Sequence, residues 1–149
     1  MKYELTNETK QVDDVTLYRI RALKDFADVK TGGLGGWVQS TANLSQEGTC
    51  WAYDSATVRD FATVRDFATV RDSSTVRDCA NVRGSATVCD SATVRDSATV
   101  CDSATVRGSA TVRGSATVGD FATVGDFATV GDFATVGDFA TVRGRTIRK

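Results

Sequence analysis

Between Ser55 and Gly144 the chain repeats a six-residue pattern of polar and apolar positions, Ser/Phe-Ala-Thr-Val-Arg/Gly-Asp/Gly, fifteen times without insertion. The fourth position is Val in all fifteen hexads, from Val58 to Val142. The second is Ala except at Ser74, and the third is Thr except at Asn81. An α-helix returns its apolar stripe every ~3.6 residues, so a period of six does not describe one. Within the hexad, Ala in, Thr out, Val in describes a short strand. The sixth position is Asp eleven times and Gly at Gly84, Gly108, Gly114 and Gly144. These residue types tolerate left-handed backbone torsions, so the position marks a corner. Strand and corner alternating every six residues form one side of a triangular coil. Three hexads then make a rung of eighteen residues, and the array predicts five rungs. At ~4.8 Å per rung the rod is about 24 Å long.

Residues 1–54 are different material, holding all five Leu, both Trp and all three Tyr. Tyr3-Glu4-Leu5 and Val15 through Ala22 predict two strands, the second with alternating faces. Asp25 through Lys30, Ala42-Asn43-Leu44 and Cys50-Trp51-Ala52 echo the hexad, with two extra residues around Glu47-Gly48. Gly32-Gly33-Leu34-Gly35-Gly36-Trp37 is too glycine-rich for a strand interior and reads as a tight connection. The expected organisation is a cap with irregular first coils over 1–54, a regular array over 55–144 and a short basic tail over 145–149.

Val58-Arg59-Asp60-Phe61-Ala62-Thr63 and its fellows resemble the hexapeptide repeat of left-handed parallel β-helices. In that family an aliphatic residue points inward and a small one follows four positions later, as Val58 and Ala62 do. The residue after the aliphatic is usually Gly, Ala, Asp or Glu in the family and mostly Arg here. The resemblance implies an all-β fold, a triangular parallel β-helix, left-handed, with an N-terminal β cap. A right-handed triangular helix of the bactofilin type is the alternative. Asp25 through Val29, Leu34 through Val38, Asn43 through Gly48 and Trp51 through Asp54 resemble the head of uncharacterised bacterial and prophage-borne hexapeptide-repeat proteins. Some of those are labelled transferases by fold alone.

Charge changes the picture mainly by exclusion. Eighteen Lys and Arg against nineteen Asp and Glu give a net −1, which argues against a nucleic-acid partner. No apolar run approaches the ~20 residues of a membrane span and the first residues are no signal peptide, so a cytoplasmic protein without a membrane partner is expected. The phage resemblance adds virion association as an option. There is no His in the chain. Acyltransferases of the resembled family use a loop-borne histidine base, and its γ-class carbonic anhydrases hold zinc through three histidines. No catalytic residue, metal, cofactor or small-molecule substrate is therefore expected. The Gly32 to Gly36 segment lacks the Lys-Ser/Thr of a phosphate loop. Cys50 falls at an inward small position. Cys79, Cys89 and Cys101 are separated by 10, 12 and 22 residues, so none stacks on another in an eighteen-residue rung.

Two surface features remain. Thr columns, such as Thr57, Thr75, Thr93, Thr111 and Thr129, raise ice binding, although one rank flanked by Arg suits ice poorly. Phe61, Phe67, Phe121, Phe127, Phe133 and Phe139 occupy the corner position where Ser is otherwise used. The last four put an aromatic on all three corners near the C-terminal coils. The expected function is a non-enzymatic scaffold, a rigid rod that self-associates, with an ice-binding module and a degenerate acyltransferase-like protein as alternatives. The expected partner is a second copy, joined end to end as a homodimer through Val142, Ile147, Phe121, Phe127, Phe133 and Phe139.

Overall fold

In the computed structural model, which describes residues 1–148, the six-residue alternation folds as a parallel β-solenoid of about six turns. Each hexad contributes a short strand at its third and fourth positions, from Thr57–Val58 to Thr141–Arg143. Partners lie eighteen residues apart, as in Thr93↔Thr75 and Val94↔Val76. The strands divide into three sheets, one for each side of the coil. All fifteen array valines are 5 % exposed or less. Burying each stabilises by roughly 1.5–3 kcal/mol before entropy is counted. The two exceptions to the consensus explain themselves. Ser74 is fully buried, and its hydroxyl donates to the Arg71 carbonyl at 2.7 Å. Asn81 accepts from the Thr63 hydroxyl one rung below.

The corners follow from the sixth position. All eleven Asp and four Gly there have φ between 53° and 65°. Each opens a tight turn, for which the Ala62 N–H to Arg59 carbonyl bond of 3.1 Å is representative. The aspartates do something further. The sixth-position N–H donates to no backbone carbonyl among the described residues. It donates instead to the Asp carboxylate one rung below: Asp78 to Asp60, Asp96 to Asp78 and Gly114 to Asp96, at 2.9–3.2 Å. The other two corners repeat this, as in Gly84 to Asp66 and Asp90 to Asp72, both at 3.0 Å. At the first rung the Gln39 side chain takes the same role, accepting from the Asp60 N–H at 2.6 Å.

The cap begins with a hairpin of β1 (Tyr3–Val12) and β2 (Val15–Ala22), turned through Asp13 and Asp14 with φ of 50° and 66°. It extends the first sheet antiparallel to β3 (Leu34–Val38), which then pairs in parallel with Thr57–Val58. So the glycine-rich segment expected as a connection supplies a strand. Gly32 does lie in a turn, at φ 86°, whereas Gly35 and Gly36 sit within the strand and are required by close approach. A Cβ on Gly36 would lie 2.5 Å from the Ala56 carbonyl oxygen, and one on Gly35 would lie 2.8 Å or less from Ala52, Trp51 and Ile20 atoms. Leu44, bridged to Val64, and β4 (Trp51–Ala52), paired with Thr69–Val70, complete the opening turn. The two extra residues fall where expected. Gly48, at φ 69°, packs against the Asp66 backbone, where a Cβ would stand 2.3 Å from its carbonyl oxygen.

At the other end, residues 145–148 of the expected tail add a strand. Thr146–Arg148 is a further strand of the first sheet, in the register Thr129↔Thr146 and Val130↔Ile147. That step is one residue short of eighteen. Lys149 lies outside the described residues. Among the described residues no helix is long and apolar enough to cross a membrane.

Two outcomes test this frame. Val94→Phe, in the middle of the bore, should overpack it and cost about 1–3 kcal/mol in denaturant unfolding. An unchanged midpoint would mean that Val94 does not point inward. Asp78→Asn keeps both the tolerance for positive φ and an acceptor oxygen, and should be close to neutral. Asp78→Ala loses both and should cost about 1.5–3.5 kcal/mol, from the torsion and one hydrogen bond together. Equal stability of the two variants would show that the carboxylate ladder contributes nothing.

Candidate functional site

The surface of the rod is built of columns, because each outward residue has its equivalent one rung above. Every face shows a single outward Thr rank. The first-position column decides where large apolar groups reach solvent. Phe121, Phe127, Phe133 and Phe139 are 59–79 % exposed, and Phe61 and Phe67 are 82 % and 61 % exposed. The rings therefore stand off the corners and do not cover neighbouring backbone. Phe121 and Phe139 stack as their spacing requires, with centroids 5.1 Å apart and planes within 6°. Phe127, Phe133 and Phe139 occupy three different corners. Of the other residues expected at a joint, Val142 is 3 % exposed and faces the bore. Ile147 is half-buried, with its backbone paired to Val130.

The Arg-Asp corners neutralise themselves. Arg77 lies 3.6 Å from Asp78 and Arg95 lies 3.9 Å from Asp96, both pairs partly exposed and so worth little individually. Arg59 departs from its column. It is 9 % exposed and pairs at 3.2 Å with Asp13 in the hairpin turn. In the C-terminal hexads Gly replaces Arg, and the arginine below spreads over the vacated corner: Arg107 lies over Gly125 and Arg113 over Gly131.

All four cysteines are free thiols. Spacing correctly separates them from one another, but it hides a different neighbourhood. Asp72, Cys89 and Asp90 bring one donor atom each within 4.8 Å of one another, a set of the kind that can hold a metal ion. The signal was available as the separations of 17 and 18 residues between Asp72 and the other two. Burial and the flanking carboxylates push the Cys89 thiol up, which favours the protonated form, and Arg71 and Arg107 supply competing positive charge.

The buried polar chemistry lies at the capped mouth, where Lys2 is 1 % exposed. Its ammonium donates to the Cys50 carbonyl at 2.7 Å, to those of Gly48 and Glu47 at 3.4 and 3.5 Å, and to the Cys50 sulfur at 3.4 Å. It also stands 5.1 Å from the centre of the Phe26 ring. Burial lowers the Lys2 pKa from its usual value, and burial raises that of Cys50. The Tyr3 hydroxyl donates to the Leu44 carbonyl at 2.6 Å, and burial raises its pKa too. Gln46 completes the closure by accepting from the Lys2 and Tyr3 N–H groups at 2.8 and 3.1 Å. These carbonyls belong to the irregular loop before β4. A buried charge persists here because acceptors surround it. The grouping was missed in the sequence, where Lys2 resembles any charged residue near a chain start.

No family model matches the chain. A protein of Escherichia coli K12 described as the uncharacterized acetyltransferase YdcK is 40 % identical over 65 residues, covering 38 % of this chain. The match spans 20 % of that protein's length. With the turns described above, the chain is a hexapeptide-repeat parallel β-helix.

Buried thiols and phenols, together with Lys2, set the pH dependence of stability. Cys50, Cys89 and Cys101 are held neutral by burial, so the unfolded chain loses those protons first, from the ordinary thiol value of 9.0. Tyr3 and Tyr53 add the same sign above 10.0. The unfolded state then binds fewer protons than the folded one, so stability falls as pH rises above about 9. Lys2 opposes this: its lowered pKa makes stability rise with pH up to 10.5. The denaturation midpoint should therefore decline above pH 9, less steeply in Cys50→Ala and more steeply in Lys2→Met. A wild-type midpoint that climbs over this range would contradict the assignment.

Proposed function

We propose that the chain is a non-enzymatic scaffold, a stiff spacer whose C-terminal turns join a second copy of itself. The observation that carries the reading is the crown of exposed rings, with Phe127, Phe133 and Phe139 each 76–79 % exposed on three corners. Large apolar rings held in solvent on every corner at one end, with Phe121 stacked on Phe139, offer a partner surface to cover. A one-sided partner would cover one corner, whereas an end-to-end joint engages all three. A two-fold joint sets one surface against itself, so the surface must be self-complementary. The last turns suit that condition, with Asp126, Asp132 and Asp138 matched by Arg143, Arg145 and Arg148. The strands Thr135–Val136, Thr141–Arg143 and Thr146–Arg148 each pair on one side only among the described residues.

The acyltransferase reading rests on the printed name of one relative over a fifth of its length. An imidazole base for acyl transfer would have to come from outside these 149 residues, which contain no His. Ice binding draws on the Thr ranks alone, and the adjoining corner carries Arg over most of the rod.

Ser stands at the first position of eight hexads, so replacing Phe by Ser returns a corner to the repeat's own alternative. Sedimentation of the wild type should show a dimer, and the triple variant Phe127→Ser, Phe133→Ser, Phe139→Ser should sediment as a monomer with an unchanged melting temperature. Two monomers, or two identical oligomers, would remove the joint. Incubation with acetyl-coenzyme A should release no thiol above background. Turnover would refute the non-enzymatic half of the reading.

A further inference from the structure

The hairpin tip creates a feature that the repeat lacks. Between it and the outer face of the first sheet lies a cleft of about 360 Å³. Val12 and Asp13 line the hairpin side, with Thr57, Thr75, Thr93, Arg59 and Arg77 on the solenoid side. This is within the ~300–1,000 Å³ of small-molecule sites but differs from most in being polar. Val12 is its one apolar residue and no aromatic lines it.

The donors in this cleft are incompletely used. Arg59 is nine-tenths buried, yet among the described residues its guanidinium makes one hydrogen bond, to the Asp13 carboxylate at 3.2 Å. The rest of its five N–H donors have no protein acceptor. Arg77, one rung above, makes none, its nearest carboxylate being that of Asp78 at 3.6 Å. The hydroxyls of Thr57, Thr75 and Thr93 likewise have no protein partner among the described residues, and the β-ladder sets them ~4.8 Å apart. Arg59 and Arg77 line the cleft with Asp13, and Asp78 stands 3.6 Å from Arg77. These unfilled guanidinium donors are open to solvent at the cleft, and a carboxylate or phosphate is the acceptor that matches their geometry best.

We propose that this cleft binds an acidic sugar, an oxyanion carried on a polyhydroxylated ring. The oxyanion takes the free donors of Arg59 and Arg77. The ring hydroxyls exchange hydrogen bonds with the threonine column, whose hydroxyls both donate and accept. The absence of an aromatic platform points to a ligand held by polar contacts, with modest affinity for a single ring. Thr111 and Thr129 continue the same column beyond the cleft. A linear chain of such rings therefore gains contacts that one ring lacks. Asp13 contributes by fixing Arg59, and so acts as a positioning residue.

Titration of the full chain, followed by calorimetry, tests the assignment with four probes: a trimer of hexuronic acid, glucose 6-phosphate, inorganic phosphate and a neutral glucose trimer. The uronate trimer or the sugar phosphate should bind at least tenfold more tightly than both inorganic phosphate and the neutral trimer. Which of the two binds better identifies the oxyanion as carboxylate or phosphate. Arg77→Gln and Thr75→Val should each weaken that binding about tenfold with no change in melting temperature. Thr99→Val, on another face, should leave it unaltered. No binding of either acidic probe at millimolar concentration would overturn the proposal. So would equal binding of the neutral trimer, or wild-type affinity in Arg77→Gln.

Discussion

Every residue of the array is stacked on the residue eighteen positions away, and the rest of the molecule answers to that constraint. The bore can be filled because Val always meets Val and, except at Ser74, Ala meets Ala at the same height. The same rule forces like charges into columns, which is unfavourable unless something offsets it. Here the offset is built into the sixth position. An Asp stacked above an Asp would only repel it, but the lower carboxylate receives the upper residue's otherwise unpaired N–H. The residue chosen for its tolerance of positive φ thus also closes the last gap in the backbone hydrogen bonding. Where Gly takes the position, as at Gly84, the torsion is kept and the carboxylate is lost.

The N-terminal cap solves a problem the repeat cannot solve for itself. A triangular coil that simply began would expose its bore and a row of unpaired carbonyls. Trp51, Tyr3 and Phe26 cover the bore with edge-on aromatic contacts, at centroid separations of 6.0 and 5.1 Å from Trp51. Lys2 then gathers the carbonyls of the loop around Gly48. Burying an ammonium is expensive, and the lowered Lys2 pKa is the signature of that cost. The cost is tolerated because the alternative is several buried acceptors with no donor. The hairpin continues the first sheet outward and lays its turn against Arg59, which withdraws one arginine from an otherwise exposed column.

These two ends present different chemistry. The C-terminal turns show aromatic rings on all corners, a surface suited to association with protein. The capped end shows a polar cleft with spare guanidinium and hydroxyl donors, a surface suited to a hydroxylated anion. Between them the rod repeats its Arg-Asp corners and Thr ranks at a fixed rise. The proposed self-association and the proposed ligand cleft thus fall at opposite ends of the rod.

The array was legible in the sequence almost to the residue. Its contacts are periodic: once the rung is eighteen residues, arithmetic alone pairs Thr93 with Thr75 and stacks Phe121 on Phe139. Corner torsions followed from Asp and Gly, and the two-residue excess near Glu47 followed from comparing echoes of the hexad. What only the tertiary structure decided lies where the period fails or where side chains reach between columns. Gly35 and Gly36 looked like a turn because their need, close approach to Trp51 and the Ala56 carbonyl, depends on neighbours that no local pattern announces. Lys2 meets Cys50 across 48 residues of aperiodic chain. The Asp13–Arg59 pair, and with it the cleft, depends on how far a hairpin tip bends over a sheet. Periodic stacking reduces three-dimensional neighbours to a sequence offset; an aperiodic cap has no such offset, so its contacts exist only once the chain has packed.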